Sequence, residues 1–196
     1  NNKADYAYAY NDRASAKRNL KDYNGAIADY EKAISINNKL HFTHNNLGSV
    51  LRKVKKYQEA IASYTKAIEL NPNYVEAWYN RGYTKFDMTD YRGAITDFTE
   101  TLKLQPNYMN AYANRGEARY YVGHLRDAIA DFTIIIQADA TAANAWYNRG
   151  VAHADLLNYS AALEDLEKAL NLAHPGAKEA IRKVKRVAAQ PRKGDF

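Results

Sequence analysis

Small and apolar residues recur along this chain at a fixed interval of 34. Ala26, Ala60, Ala94, Ala128 and Ala162 stand one period apart, with no insertion or deletion between them. With each alanine as the twentieth residue, the units run 7–40, 41–74, 75–108, 109–142 and 143–176, after a leader at 1–6. Position 8 of the unit holds Ala14, Gly48, Gly82, Gly116 and Gly150, and position 24 holds Tyr30, Tyr64, Phe98, Phe132 and Leu166. Positions 17 and 21 are aromatic or aliphatic in every unit: Tyr23, Tyr57, Tyr91, Leu125 and Tyr159, then Ile27, Ile61, Ile95, Ile129 and Leu163. This spacing predicts one helix over positions 2–14 and a second over about 18–30. Glycine within a helix costs roughly 1 kcal/mol against alanine, so four at one register need a packing reason. Small residues at 8 and 20 let the two helices approach, while large side chains fill the gaps. Asn71-Pro72-Asn73 and Gln105-Pro106-Asn107 end the second helix of their units. One such hairpin is too small to bury its own apolar face and is stable only stacked on its copies.

The columns resemble the tetratricopeptide repeat family. Trp78, Gly82, Ala94, Phe98 and Pro106 fit its tryptophan, glycine, alanine, aromatic and proline skeleton. Trp146, Gly150 and Ala162 fit it again, whereas Leu166 and His174 depart at the aromatic and the proline. Thr101 and Ile135 replace the small residue usual at position 27, which predicts looser helix packing there. The resemblance implies an all-α fold, a right-handed α-α superhelix (solenoid) of five helix–turn–helix units, with a concave groove built from first helices. It implies a non-catalytic protein-interaction adaptor and leaves the ligand open.

Charge changes the picture only at the C-terminus. The chain carries +6, but residues 177–196 hold seven lysines and arginines against two acids, so the rest is nearly neutral. Ala177, Ile181, Val184 and Val187 fall at helical spacing, which predicts a basic helix over 177–190 capping the last unit, then a tail at 191–196. A nucleic-acid reading rests on this segment alone and is weakly supported. There is no cysteine, so disulfide and thiolate chemistry are out and the compartment stays open. No run of 18 apolar residues is present, which argues against a spanning helix. The chain starts at Asn1 without methionine or a capping helix, and the expectation is a piece cut from a longer protein.

Two columns pair in the sequence itself. Position 7 reads Arg13, Leu47, Arg81, Arg115, Arg149, and position 23 reads Asp29, Ser63, Asp97, Asp131, Asp165. Both charges vanish together in the second unit, which predicts a structural arginine–aspartate pair between the two helices of each hairpin. The alternative is a row of arginines offered to an anionic ligand.

Position 6 reads Asp12, Asn46, Asn80, Asn114, Asn148. In the resembled family, positions 2, 5, 6, 9, 12 and 13 of the first helix face the groove. Asparagine is a poor helix former, and its amide presents one acceptor and two donors, the set that matches one peptide unit. The column resembles the asparagine ladder of O-linked N-acetylglucosamine transferase, which implies backbone recognition of an extended peptide. The rival reading is that each asparagine bonds the neighbouring repeat. The other groove candidates are Arg52, Lys53, Tyr79, Tyr83, Phe86, Glu117, Tyr120, Tyr147 and Asp155. Arg52 and Lys53 are expected to meet an acidic ligand end, Glu117 and Asp155 a basic one. The lysine clamp with which chaperone adaptors of the family hold a carboxylate is absent, since position 5 carries Asn11, Asn45, Tyr79, Ala113 and Tyr147.

No phosphate loop, nucleophile elbow or zinc-protease motif occurs. His41 and His44 have an i, i+3 spacing, but His44 sits at position 4, where Tyr10, Trp78, Tyr112 and Trp146 stand in the sister units, so packing explains it better than a metal. No cofactor is expected. The partner is another protein or a peptide segment, with a self-assembling scaffold as the alternative.

Overall fold

In the computed structural model the described residues are 3–189; Asn1, Asn2, the 191–196 tail and the last residue of the expected 177–190 helix lie outside them. They form eleven helices in two compact units that divide after Asn107.

The first unit holds α1 (Lys3–Asn19), α2 (Tyr23–Ile36), α3 (His41–Lys53), α4 (Tyr57–Leu70), α5 (Val75–Asp87) and α6 (Tyr91–Leu104), packed as three hairpins. The second holds α7 (Met109–Tyr121), α8 (Leu125–Ala138), α9 (Ala143–Asp155), α10 (Tyr159–Asn171) and α11 (Ala177–Ala188). α3, α5, α7 and α9 begin one residue earlier than predicted, and α1 extends back to Lys3, so the described leader residues are helical.

The turn inside each hairpin explains its constant length. Lys21, Lys55, Thr89, Gly123 and Leu157 all take left-handed φ, between 61° and 81°. The next residue's N–H then bonds the carbonyl five back, as in Asp22 to Lys17 and His124 to Arg119 at 2.9 and 2.8 Å. This closes the helix end with one αL residue, which only one hairpin fills with glycine.

Small residues let the helices meet. Ala26, Ala60, Ala94, Ala128 and Ala162 are fully buried, and so, to within 1 %, are the position-24 side chains Tyr30, Tyr64, Phe98, Phe132 and Leu166. Each of these large side chains contributes roughly 1.5–3 kcal/mol by burial. Thr101 is not loose: it is fully buried and its hydroxyl donates to the Asp97 carbonyl at 2.9 Å. In α11, Ala177, Ile181 and Val184 are buried, and the latter two join a cluster with Ala162 and Leu166 of α10.

The arginine column turns inward. Arg13, Arg81, Arg115 and Arg149 each grip the aspartate 16 residues on through two bonds of 2.6–3.1 Å. Each guanidinium also lies over the position-4 ring, Tyr10, Trp78, Tyr112 or Trp146, at 4.9, 4.8, 5.4 and 4.9 Å. A second cation joins in three hairpins: Lys17 reaches Asp29 at 2.8 Å, Lys85 reaches Asp97 at 2.8 Å and Arg119 reaches Asp131 at 2.6 Å. The second hairpin replaces the whole trio with Leu47, Leu51 and Ser63. Arg81 and Arg149 also donate to Thr65 and Thr133 of the preceding hairpin at 3.0 and 3.1 Å, which ties neighbours together.

One pair carries a pH signature. The Arg13 hydrogen bond, with Lys17 assisting, overcomes burial and holds the Asp29 carboxyl at about 2. An unfolded aspartate titrates near ~3.9. The folded chain therefore binds fewer protons in that window, so the pair's stabilisation is full above about pH 4 and is lost as pH falls through about 2. Asp29→Ser is expected to flatten the acid loss of stability between about pH 4 and 2, measured by urea denaturation against the parent chain. Identical acid limbs would show that the pair is not coupled to folding.

Candidate functional site

The candidate groove residues divide between the two units, and most of their polar groups bond along the seams between neighbouring first helices. In the first unit, Asn46 Nδ2 donates to Asn11 Oδ1 at 3.4 Å, which also accepts from Thr43 at 3.2 Å. Asn80 Nδ2 donates to the buried Asn45 Oδ1 at 3.0 Å. Asp12 accepts from Asn11 at 3.1 Å. In the second unit, Asn148 Nδ2 donates to Glu117 Oε1 at 3.2 Å. The amide donors of these three asparagines thus reach the preceding hairpin, the arrangement that rivals ligand binding. An amide carries a carbonyl oxygen besides these donors, an acceptor of the kind a peptide N–H requires. Asn114, on α7, is half-buried.

Arg52 differs from its sequence expectation because Asp87, 35 residues on, takes its charge at 2.9 Å. Its guanidinium lies 4.6 Å from the Tyr83 ring centroid. Tyr83 and Tyr79 are tilted neighbours at 6.2 Å, and Phe86 meets Tyr91 edge-on at 5.2 Å. Lys53 is exposed. Asp155 likewise has a partner 35 residues away, since the Tyr120 hydroxyl donates to it at 2.5 Å. Burial, with this bond to a carboxylate, pushes the Tyr120 phenol up to about 12. Asn148, reaching back 31 residues to position 9, stands apart; Arg52–Asp87 and Tyr120–Asp155 join position 12 to 13, and Asn11–Asn46 and Asn45–Asn80 join 5 to 6, each one repeat plus one residue apart. Spacings of 35 in the sequence would have found these pairs.

Serines at position 9 bond within their own hairpin. Ser15 lies 2.9 Å from the Tyr30 hydroxyl, and Ser49 accepts from Tyr64 at 3.3 Å. Where position 24 is phenylalanine, no phenol is available, and position 9 is Tyr83 or Glu117 instead.

His44 does the work of its sister tryptophans. Its Nε2 lies 3.0 Å from the Asn38 carbonyl, while Trp78 and Trp146 donate to Pro72 and Ala140 carbonyls at 2.8 and 2.9 Å. Each carbonyl is six residues back. Burial lowers the histidine pKa, and among the described residues no cluster of three metal-ligating side chains forms.

Two adjoining cavities open around Tyr147 in the second unit, which the sequence could not locate. One, about 250 Å³, lies between α7 and α9 against Phe132. The other, about 570 Å³, lies between α9, α10 and α11 and is mainly apolar, with Val151, Ala154, Leu157, Val184 and Val187 in its wall. Tyr147 borders both and stacks on His174 with centroids 4.0 Å apart. Glu117, Tyr120, Tyr147, Asn148 and Asp155, all groove candidates, converge on these two spaces.

Stacked helical hairpins with a polar, aromatic first-helix face define a repeat protein of the scaffold class. Models of the tetratricopeptide repeat match residues 7–40, 41–74, 63–96 and 143–174. The chain belongs to the tetratricopeptide repeat family. No curated protein matches it. Among solved structures it is similar to YrrB, a tetratricopeptide repeat protein with an unusual peptide-binding site, at 24% identity and TM-score 0.80 over 90% of each chain. It is similar to MamA at 25% identity and TM-score 0.81, over 88% of this chain and 94% of that one. The first such domain of Spaghetti (RPAP3), bound to the HSP90 peptide SRMEEVD, aligns at 22% identity and TM-score 0.60, over 61% of this chain and 95% of that one. Among the described residues no helix is long and apolar enough to cross a membrane.

Proposed function

We propose that the chain is a protein-interaction adaptor that holds a segment of another protein against its first-helix faces. The observation that carries this reading is the convergence of Glu117, Tyr120, Tyr147, Asn148 and Asp155 on two adjoining cavities in the second unit. Apolar walls with a few placed polar groups are what ligand sites use. The unusual peptide-binding site of YrrB and the peptide-bound RPAP3 domain support the same role. The asparagine acceptors offer contacts to a peptide backbone, and the aromatic residues supply the side-chain pockets.

The test compares capture of partners from the source lysate by the parent chain, Tyr120→Ala/Tyr147→Ala, and the control Ala130→Glu on the exposed side of α8. The double variant is expected to weaken partner binding about tenfold or more, near 1.4 kcal/mol, while its melt stays cooperative. The control should bind as the parent does. Partners retained equally by all three would place binding elsewhere.

A second reading is self-association through α1, where Tyr6 and Tyr8 are 52% and 47% exposed. Sedimentation at rising micromolar concentration separates the two, since an adaptor stays monomeric.

A further inference from the structure

We propose that the cavity between α7 and α9 is a cage for an alkylammonium group, the side-chain cation of a lysine on the bound partner. The inference rests on the adaptor reading and names what one of its pockets recognises. Glu117 is half-buried on α7 and accepts one hydrogen bond, from Asn148 to its Oε1. Among the described residues no lysine or arginine lies within ion-pair distance of it, although every buried aspartate in the position-23 column has at least one such partner. Burial accordingly raises the Glu117 pKa, the mark of a carboxylate whose charge is under-compensated.

The walls suit a cation. Tyr120, Tyr121, Tyr147 and Phe132 line the same space of about 250 Å³. That is room for a side chain rather than a single water of about 30 Å³. Aromatic faces attract ammonium groups through their quadrupoles, most strongly where water is excluded. Two of the rings are pinned, Tyr120 by its 2.5 Å bond to Asp155 and Tyr147 by stacking on His174. Asp155 adds a second carboxylate beside Tyr120. Because Asn148 engages Oε1, Glu117 presents Oε2 alone. One oxygen matches the point charge of an ammonium better than the two-pronged guanidinium fork.

The hairpin shows how the site arises. In the first two hairpins the position-9 serine is bonded to a buried phenol, Tyr30 or Tyr64. In this hairpin position 24 is Phe132, which offers no hydroxyl, and position 9 is Glu117.

The experiment titrates the full chain with Nα-acetyl-lysine N-methylamide, its trimethylated form, and the uncharged Nα-acetyl-norleucine N-methylamide, followed by ¹H–¹⁵N spectra. The lysine probes are expected to shift the Asn148 side-chain amide and residues 117–121 saturably, and the norleucine probe to bind at least tenfold more weakly. Glu117→Gln should weaken the lysine probes tenfold or more while leaving the remaining resonances in place. A trimethylated probe bound tenfold more tightly than lysine assigns the cage to methylated side chains; equal or weaker binding assigns it to unmodified lysine. Equal binding of norleucine, no saturable shift with any probe, or unchanged affinity in Glu117→Gln overturns the proposal. The probes need no partner, so their failure leaves the capture experiment standing, and failure of capture leaves the cage result standing.

Discussion

Asp97→Ser is expected to cost the chain about 3–5 kcal/mol of folding free energy. Asp97 is fully buried and receives two bonds from Arg81, at 2.9 and 2.7 Å, and one contact from Lys85 at 2.8 Å. Removing the anion strands two cations whose side chains are only 14% and 19% exposed. Taking the cations away with it is a different change. Arg81→Leu, Lys85→Leu and Asp97→Ser together copy the second hairpin, where Leu47, Leu51 and Ser63 fill these positions. A buried ionic group replaced whole by apolar side chains is often neutral. The triple variant should recover most of the loss, falling short by about 1–2 kcal/mol for the Thr65 bond and the stacking on Trp78. Urea denaturation of the parent, single and triple variants decides it. A triple variant no more stable than the single one would mean that the trio is not a self-contained exchange.

The same trio shows how far the sequence could be read. The arginine and aspartate columns pair by their joint loss in one repeat, because either charge kept without the other would be stranded. Lys17, Lys85 and Arg119 share the loss at Leu51, but His153 breaks the column where Asp165 is kept, and a cation at position 11 reads equally well as a solvated helix face. Only the distances to Asp29, Asp97 and Asp131 separate the two. The fold was legible because small and large columns repeat in register, and register is a property of the chain itself. The site was less so. Asn46, Asn80 and Asn148 read as residues of the first-helix face, but position 6 sits on the seam between adjacent helices, and one amide can serve neighbour or ligand. The direction of Nδ2 depends on how far apart those helices stand, which no single repeat encodes. Arg52 read as a cation for a ligand, and Asp87 neutralises it from the next helix. Both cavities were invisible for the same reason, being spaces between elements rather than properties of any one.

Gly116→Val is expected to destabilise the second unit by about 2–3 kcal/mol, because α7 and α8 meet at that glycine without room for a branched side chain. A Cβ built on Gly116 would lie 2.7 Å from Phe132 Cε1 and 3.0 Å from its Cζ. Phe132 is 1% exposed, so the ring has little space in which to yield. Alanine should be milder than valine, because it brings the clashing Cβ but no branch. The first hairpin already carries Ala14 at this register opposite Tyr30, and alanine regains roughly 1 kcal/mol of helix propensity over glycine. Gly116→Ala is therefore expected to cost about 1–2 kcal/mol, the gain in propensity offsetting only part of the push on the ring. Valine adds two methyl groups to the same contact and loses the propensity gain through its β-branch. Trimming the wall in Gly116→Val/Phe132→Leu should recover part of the loss, since the two sites touch and their effects cannot simply add. The displacement also has a functional readout. Gly116 precedes Glu117, so forcing α7 away from α8 should disturb the Glu117–Asn148 bond and move the Asn148 side-chain amide resonance. Should Gly116→Val melt with the parent chain and leave that resonance unmoved, the glycine column is not what sets the helix spacing.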